Sequence, residues 1–185
     1  EPGVSPHGPR AFLLRGIEMT GTMFTIVLLT ATLLTALVAG LLFAFALITM
    51  PGIRKLGDRE FIRAFQVMDG IIQNNHPLFI LVWGGSALLL VVTLFLGLGE
   101  LSPALWTTLL AATSLYYIGV QIPTVTINVP LNNALQRIDV EKSTGETIRN
   151  ARRMFEDRWN RWNRRRTLVA AAVTAALLLL LAMLQ

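Results

Sequence analysis

Cysteine is absent from the 185 residues, so no disulfide, thiolate nucleophile or cysteine-held zinc or iron–sulfur site can form. Histidine occurs twice, as His7 and His76. That is too few for a histidine-built metal site unless carboxylates complete it. Charge is scarce as well, at 15% of residues, against about 25% in a soluble domain. No phosphate-binding loop, dinucleotide fingerprint, zincin helix, serine elbow or haem-attachment sequence is present. No Asp or Glu falls inside an apolar run, which argues against a proton- or ion-coupled transporter. Neither a metal nor an organic cofactor is expected.

What the chain does have is hydrophobic length. Apolar residues make up 54% of it, and no charge occurs between Glu18 and Arg54. Four stretches are long and apolar enough to cross a ~30 Å hydrocarbon core, at 24–50, 77–98, 103–128 and 167–185. The expected fold is all-α, an integral membrane four-helix bundle, with 19–185 as one domain. Residues 1–18, rich in Pro and Gly, are expected to be an unstructured lead, with Met19 or Met23 as alternative starts. Pro51-Gly52 stops the first span. Pro77 and Pro103 sit in the first turns of the second and third, where proline is tolerated. Only 99–102 separates those two, so they form an antiparallel hairpin.

Net charge is +5, and the sixteen Lys and Arg are unevenly placed. Four lie in the first long loop, ten in the second and two in the N-terminal lead; the short hairpin loop and the C-terminus carry none. The positive-inside rule then places both long loops in the cytoplasm and both termini outside, in an inner (plasma) membrane. The basic residues read as topology signals and contacts to anionic lipid, and not as a nucleic-acid surface.

Both long loops show helical periodicity. Phe61, Phe65, Met68 and Ile72 share one face, with Asp58 as a reasonable N-cap; this helix is expected to lie on the membrane surface or cap the bundle. Ser143-Thr144-Gly145-Glu146 is a capping-box pattern. After it, Ile148, Ala151, Phe155, Trp159 and Trp162 fall on one face. One long amphipathic helix is therefore expected from near Thr144 into the fourth span. Trp159 and Trp162 are expected at the interface and Arg164, Arg165 and Arg166 at headgroup level.

The third span is unusually polar. Tyr117, Gln121, Thr124 and Asn128 share a face, and Pro123 interrupts the backbone ladder. Polar groups at membrane depth must face the bundle interior or a wet cavity. Two readings stay open for Gln121 and Asn128: the wall of a polar pocket for a small aromatic or quinone-like molecule, or hydrogen-bonding glue between spans. Tyr116 and Thr126 read as glue or lipid contact, and Gly40, Gly84 and Gly85 as close-contact positions. His76 is the one neutral-pH base expected in an ordered region, and its plainer reading is a helix end touching water. Glu156 and Asp157 read as i, i+4 partners of Asn160 and Arg161.

Several segments, taken in order, resemble the anthrone oxygenase-like membrane proteins. These are Gly40–Phe45 ending at Met50-Pro51-Gly52, Asp58–Ile62, and Ile72-Gln73-Asn74 before a Pro-Leu-Phe start. Asn128-Val129-Pro130-Leu131-Asn132-Asn133-Ala134-Leu135 follows, then Trp159-Asn160-Arg161-Trp162-Asn163 and Arg166-Thr167. Most of that family has no known function; a minority resembles enzymes that oxidise anthrones to anthraquinones with O2 and no added cofactor. The resemblance implies a base that removes an acidic ring C–H and a pocket that stabilises the resulting anion. It points to His76 as base, with Gln121, Asn128, Asn132, Trp159, Trp162 and Asn163 lining the site. Where the family often carries His after the Trp-Asn pair, this chain has Arg164, which is no base at neutral pH. The alternatives are a non-catalytic membrane subunit with protein partners and, more remotely, a small-molecule transporter.

Overall fold

The computed structural model describes the backbone of residues 9–184 and the side chains of 21–184. It is all-helical, with four helices, among the described residues, long and apolar enough to cross a membrane: Gly21–Ile53, Pro77–Leu96, Pro103–Gln136 and Gly145–Ala182. Helix α1 is Pro9–Ala44, continued by a wide π turn at Phe45–Thr49 and by α2, Met50–Ile53. Helix α3 is Asp58–Gln73, α4 Pro77–Leu96 and α5 Pro103–Tyr116. Two more π turns, Tyr117–Gln121 and Thr124–Asn128, lead into α6, Val129–Gln136, and α7 runs Gly145–Ala182. The first eight residues of the expected lead lie outside the described residues. Over 9–18 the chain is helical instead, because a helix extends outward from a formed span at little cost and Pro9 sits at its tolerated first position.

All three π turns end two residues before a proline: Pro51, Pro123 and Pro130. Proline has no N–H for the carbonyl one turn back, and its ring collides with that carbonyl. The helix relieves both problems by widening rather than ending. The first and third spans are therefore longer than the sequence reading had them. Pro51-Gly52 lies inside a helix instead of stopping it, and Asn128 is mid-helix rather than terminal.

Helix α7 is the spine of the molecule. At 38 residues it is ~57 Å long, about twice the ~30 Å hydrocarbon core. Thr144 caps it, its hydroxyl accepting from the Thr147 N–H at 3.3 Å, so the cap falls one residue after the expected Ser143 box. Asp58 is likewise not a cap. Gly57 holds that position, and the Asp58 carboxylate accepts from Arg152 at 3.0 Å. Arg152 also bonds the Leu56 and Arg54 carbonyls and Glu156, tying the first long loop to α7.

Two apolar cores result. Within the spans, Phe24, Leu28 and Val38 pack with Leu90, Leu109, Tyr116, Val120, Ala170 and Val173. Beyond them, Phe61, Ile62 and Phe65 of α3 pack on Leu135, Ile148, Phe155 and Trp159. Helix α3 therefore caps the bundle, and both long loops share one end of it. Trp159, expected at the membrane interface, is buried in this second core.

Inter-span bonds join the hairpin. Tyr116 and Ser86 hydroxyls are 2.8 Å apart, and Tyr117 Oη donates to the Ala87 carbonyl at 3.0 Å. The third and fourth spans approach closely at Gly119, where a Cβ would lie 2.7 Å from a Val169 methyl. A Cβ at Gly85 would likewise lie 2.9 Å from a Leu34 methyl, whereas one at Gly40 or Gly84 would meet nothing within 4 Å. Gly119→Ala is expected to destabilise the protein by about 1–3 kcal/mol through overpacking. Thermal unfolding in detergent measures this, and Val169→Ala in the same background should restore most of the loss.

Candidate functional site

A cavity of about 260 Å³ lies at the seam between the two cores. That is just below the usual range of small-molecule sites, roughly 300–1,000 Å³. Its wall is mainly apolar and aromatic: Phe45, Phe65, Phe79, Trp83 and Trp159 contribute rings, and Leu41, Leu42 and Ile72 fill between them. Polar groups come from Asp69, Thr124, Asn128, Asn132, Asn163 and Arg166. The wall thus draws on α1, α3, α4, α6, α7 and the π turns of the first and third spans. The widened turns matter here, since Phe45, Thr124, Val125 and Asn128 all sit on them.

The polar groups form two small networks. In the first, Trp159 Nε1–H donates to Asn132 Oδ1 at 2.8 Å, and Asn132 Nδ2–H donates to Asp69 Oδ1 at 2.7 Å. The other Asp69 oxygen accepts from Gln136 at 2.9 Å and Gln73 at 3.0 Å. A carboxylate only 3% exposed is thereby surrounded by amide donors from its own helix and from α6.

In the second network, Asn163 Nδ2–H donates to the Leu42 carbonyl at 3.0 Å. That bond turns its oxygen toward Arg166, whose Nη2–H donates to it at 3.1 Å. Arg166 Nη1–H donates to Thr124 Oγ1 at 2.8 Å, and the guanidinium lies 5.9 Å from the Trp159 ring centroid. Arg166 is 3% exposed. Among the described residues no carboxylate is within ion-pair distance of it. Its Nε–H has no partner, and neither has the Oδ1 of Asn128, which is 2% exposed. Asn128 makes one long contact, from Nδ2 to the Trp159 carbonyl at 3.5 Å.

Of the residues singled out in the sequence, Asn128, Asn132, Trp159 and Asn163 line this cavity. Gln121 does not. Its Oε1 accepts from Trp83 Nε1 at 2.9 Å, so it acts as glue between spans. Trp162 is half-buried on another side of α7, with the Arg165 guanidinium 4.9 Å over its ring. A helix turns about 100° per residue, and the buried stripe of α7 runs through Trp159, Asn163, Arg166 and Ala170, so Trp162 falls off it. His76 is exposed, at the N-cap of α4, and its side chain makes no cap bond. It lies on an apolar groove that shares Leu41, Phe45, Ile72 and Phe79 with the cavity. Glu156 pairs with Arg152 and Arg54, not with Asn160.

Sequence reasoning missed Asp69 and Arg166. Both carried a signal. Asp69 continues the Phe61, Phe65 step of four, and Arg166 sits three after Asn163 on the stripe that becomes the span core. Arg166 was expected at headgroup level with Arg164 and Arg165; those two are exposed, whereas Arg166 faces inward. Among the described residues no cluster of three or more His, Asp or Glu could hold a metal ion.

Fold and cavity together define a four-span integral membrane protein with an aromatic-lined chamber between its helices. The family model described as anthrone oxygenase matches residues 72–179, more than half of the chain, and the chain belongs to that family. The matched stretch contains Asn128, Asn132, Trp159, Asn163 and Arg166 but not Phe45, Phe65 or Asp69. No curated protein and no solved structure matches the chain.

Replacing Asp69 with Leu leaves the half-buried Asn132 amide without its acceptor and takes one of two acceptors from Gln136, which keeps the Gln66 carbonyl. The expected loss is about 2–3 kcal/mol of stability, since bonds to charged groups contribute about 1.5–3 each and some relaxation follows. A fall in detergent unfolding temperature larger than that of Asp69→Asn, which keeps an acceptor oxygen, is the check.

Proposed function

We propose that this protein is a cofactor-independent oxygenase that oxidises a polycyclic phenol of the anthrone type. The observation that carries the reading is the chamber itself: five aromatic rings around a space of small-molecule size, with a few buried polar groups inside family-matched sequence. Flat aromatic walls suit a fused-ring substrate by stacking and edge contacts. The unpartnered Asn128 Oδ1 accepts a phenolic O–H, and a buried donor serves the ring oxygen that gains charge.

The chemistry balances without a second reductant. Loss of the acidic ring proton leaves its electron pair on the ring, delocalised onto the oxygen. That carbanion reduces O2 and joins it as a peroxide, and loss of water gives the quinone. One anthrone and one O2 become one anthraquinone and one water.

In this reading His76 is the base. It stands on the groove that continues the chamber toward the acyl chains, the side from which a lipophilic substrate arrives. The excess of Lys and Arg in the long loops orients that end toward the cytoplasm, with exposed Arg164 and Arg165 at anionic headgroups. A second reading, a non-catalytic binding subunit of a larger membrane assembly, draws support from the position of His76 outside the chamber wall.

Purified protein supplied with a dihydroxyanthrone should consume one O2 per quinone formed. His76→Ala should lower the rate about 10²–10³-fold with binding unchanged, and Asn128→Leu should weaken binding. Full activity in His76→Ala would transfer the base role to Asp69, the acid in the wall. Binding without O2 uptake above the uncatalysed rate would favour the subunit reading.

A further inference from the structure

Arg166 is hard to explain as a purely structural residue. Its guanidinium is buried in an apolar surround, and every described group that bonds it is neutral: the Thr124 hydroxyl and the Asn163 amide oxygen. A buried cation without a counter-ion costs several kcal/mol. A neutral amide side chain would meet Thr124 and Asn163 without that cost. The other charge in the wall, Asp69, does not offset it, because its oxygens are engaged by Asn132, Gln136 and Gln73. The guanidinium is also held in advance. Asn163 is fixed by the Leu42 carbonyl and Thr124 by its own bond to the Val120 carbonyl at 2.6 Å, so both acceptors are in place before any ligand enters. One N–H, on Nε, is left over, in the wall that also carries the free oxygen of Asn128.

We infer that Arg166 is the anchor of the chamber's ligand, and that the ligand is held as an anion, its ionised ring oxygen on the guanidinium and a neighbouring hydroxyl donating to Asn128 Oδ1. The inference rests on the reading that a polycyclic phenol occupies the chamber. It adds that the site selects the ionised form: the ligand's proton passes to His76 and from that exposed side chain to solvent, and its electron pair stays on the ring, stabilised by a fixed positive charge. Arg166 then contributes to the reaction by making the carbanion available, and needs no proton transfer of its own.

The test uses the whole protein in neutral detergent, under argon so that no oxidation follows. A dihydroxyanthrone is titrated with pH and its longer-wavelength anion band is recorded. Bound to the wild-type protein, it should ionise about 1–3 pH units lower than in detergent alone, as a carboxyl does beside a guanidinium. Arg166→Lys should keep part of that shift. Arg166→Gln should abolish it while still binding anthracene, a hydrocarbon with nothing to ionise; that retained binding shows an intact chamber. Should Arg166→Gln fail to fold, the wild type still decides. An O-methylated anthrol, which cannot ionise, should bind at least about tenfold more weakly than the anthrone at a pH where the latter is ionised, tenfold being 1.4 kcal/mol. Equal binding of the methyl ether, or an unshifted titration of a bound anthrone, overturns the inference and leaves the chamber reading standing. Failure of both anthracene and the anthrone to bind overturns both. Loss of the anion band on adding oleate or phosphatidylglycerol, with anthracene still bound, would assign the guanidinium to a lipid anion and overturn the inference alone.

Discussion

Three spans meet at the side chain of Asn163. Its amide N–H reaches the Leu42 carbonyl on the first span, and its oxygen accepts from Arg166 on its own helix. Arg166 in turn donates to Thr124 on the third span. In a hydrocarbon surround these groups have no water to fall back on, so each fixes the next. Without Asn163, the guanidinium would lose one of its two acceptors and the first span its polar tie to α7. The chamber opens beside this short chain of bonds, and Thr124, Asn163 and Arg166 all stand in its wall.

The interior prolines give that chain its geometry. A regular helix would present Thr124 and Asn128 a little differently on its face; widened turns ahead of Pro123 and Pro130 move both. The same device at Pro51 shapes the first span where Phe45 enters the chamber. Each π turn stretches the backbone locally while the apolar stripe on either side continues, so the helices keep packing above and below. The chamber is thus a product of backbone shape as much as of side-chain size.

Helix α7 unites two environments. Its first half packs against α3 and α6 around Phe155 and Trp159, outside the main bundle; its second half packs against α1 and α5 around Ala170, Val173 and Leu177. Trp159 closes the chamber from one core, and Leu42 closes it from the other. Helix α3 is more than a loop ornament, because Phe65 and Asp69 supply part of the wall. Arg152 keeps it there by bonding the turn that leads into it.

The sequence by itself determined the membrane class, the four crossings, the hairpin of the second and third spans and the long last helix. Each depends on hydrophobic length and period, which are local properties of the chain. It also marked Asn128, because a polar side chain at the end of an apolar run needs an explanation, while Asn132, Trp159 and Asn163 were singled out for the site by the family resemblance alone. Only the tertiary structure decided that Gln121 pairs with Trp83, that Trp162 turns away, that His76 stands outside the chamber wall, and that Asp69 and Arg166 point in. Those outcomes depend on which face of each helix meets a neighbour. A proline-widened turn or a shift of one position around the helix reverses the answer; the prolines and the spacing of Asp69 and Arg166 are visible in the sequence, but which face they turn to a neighbour is not.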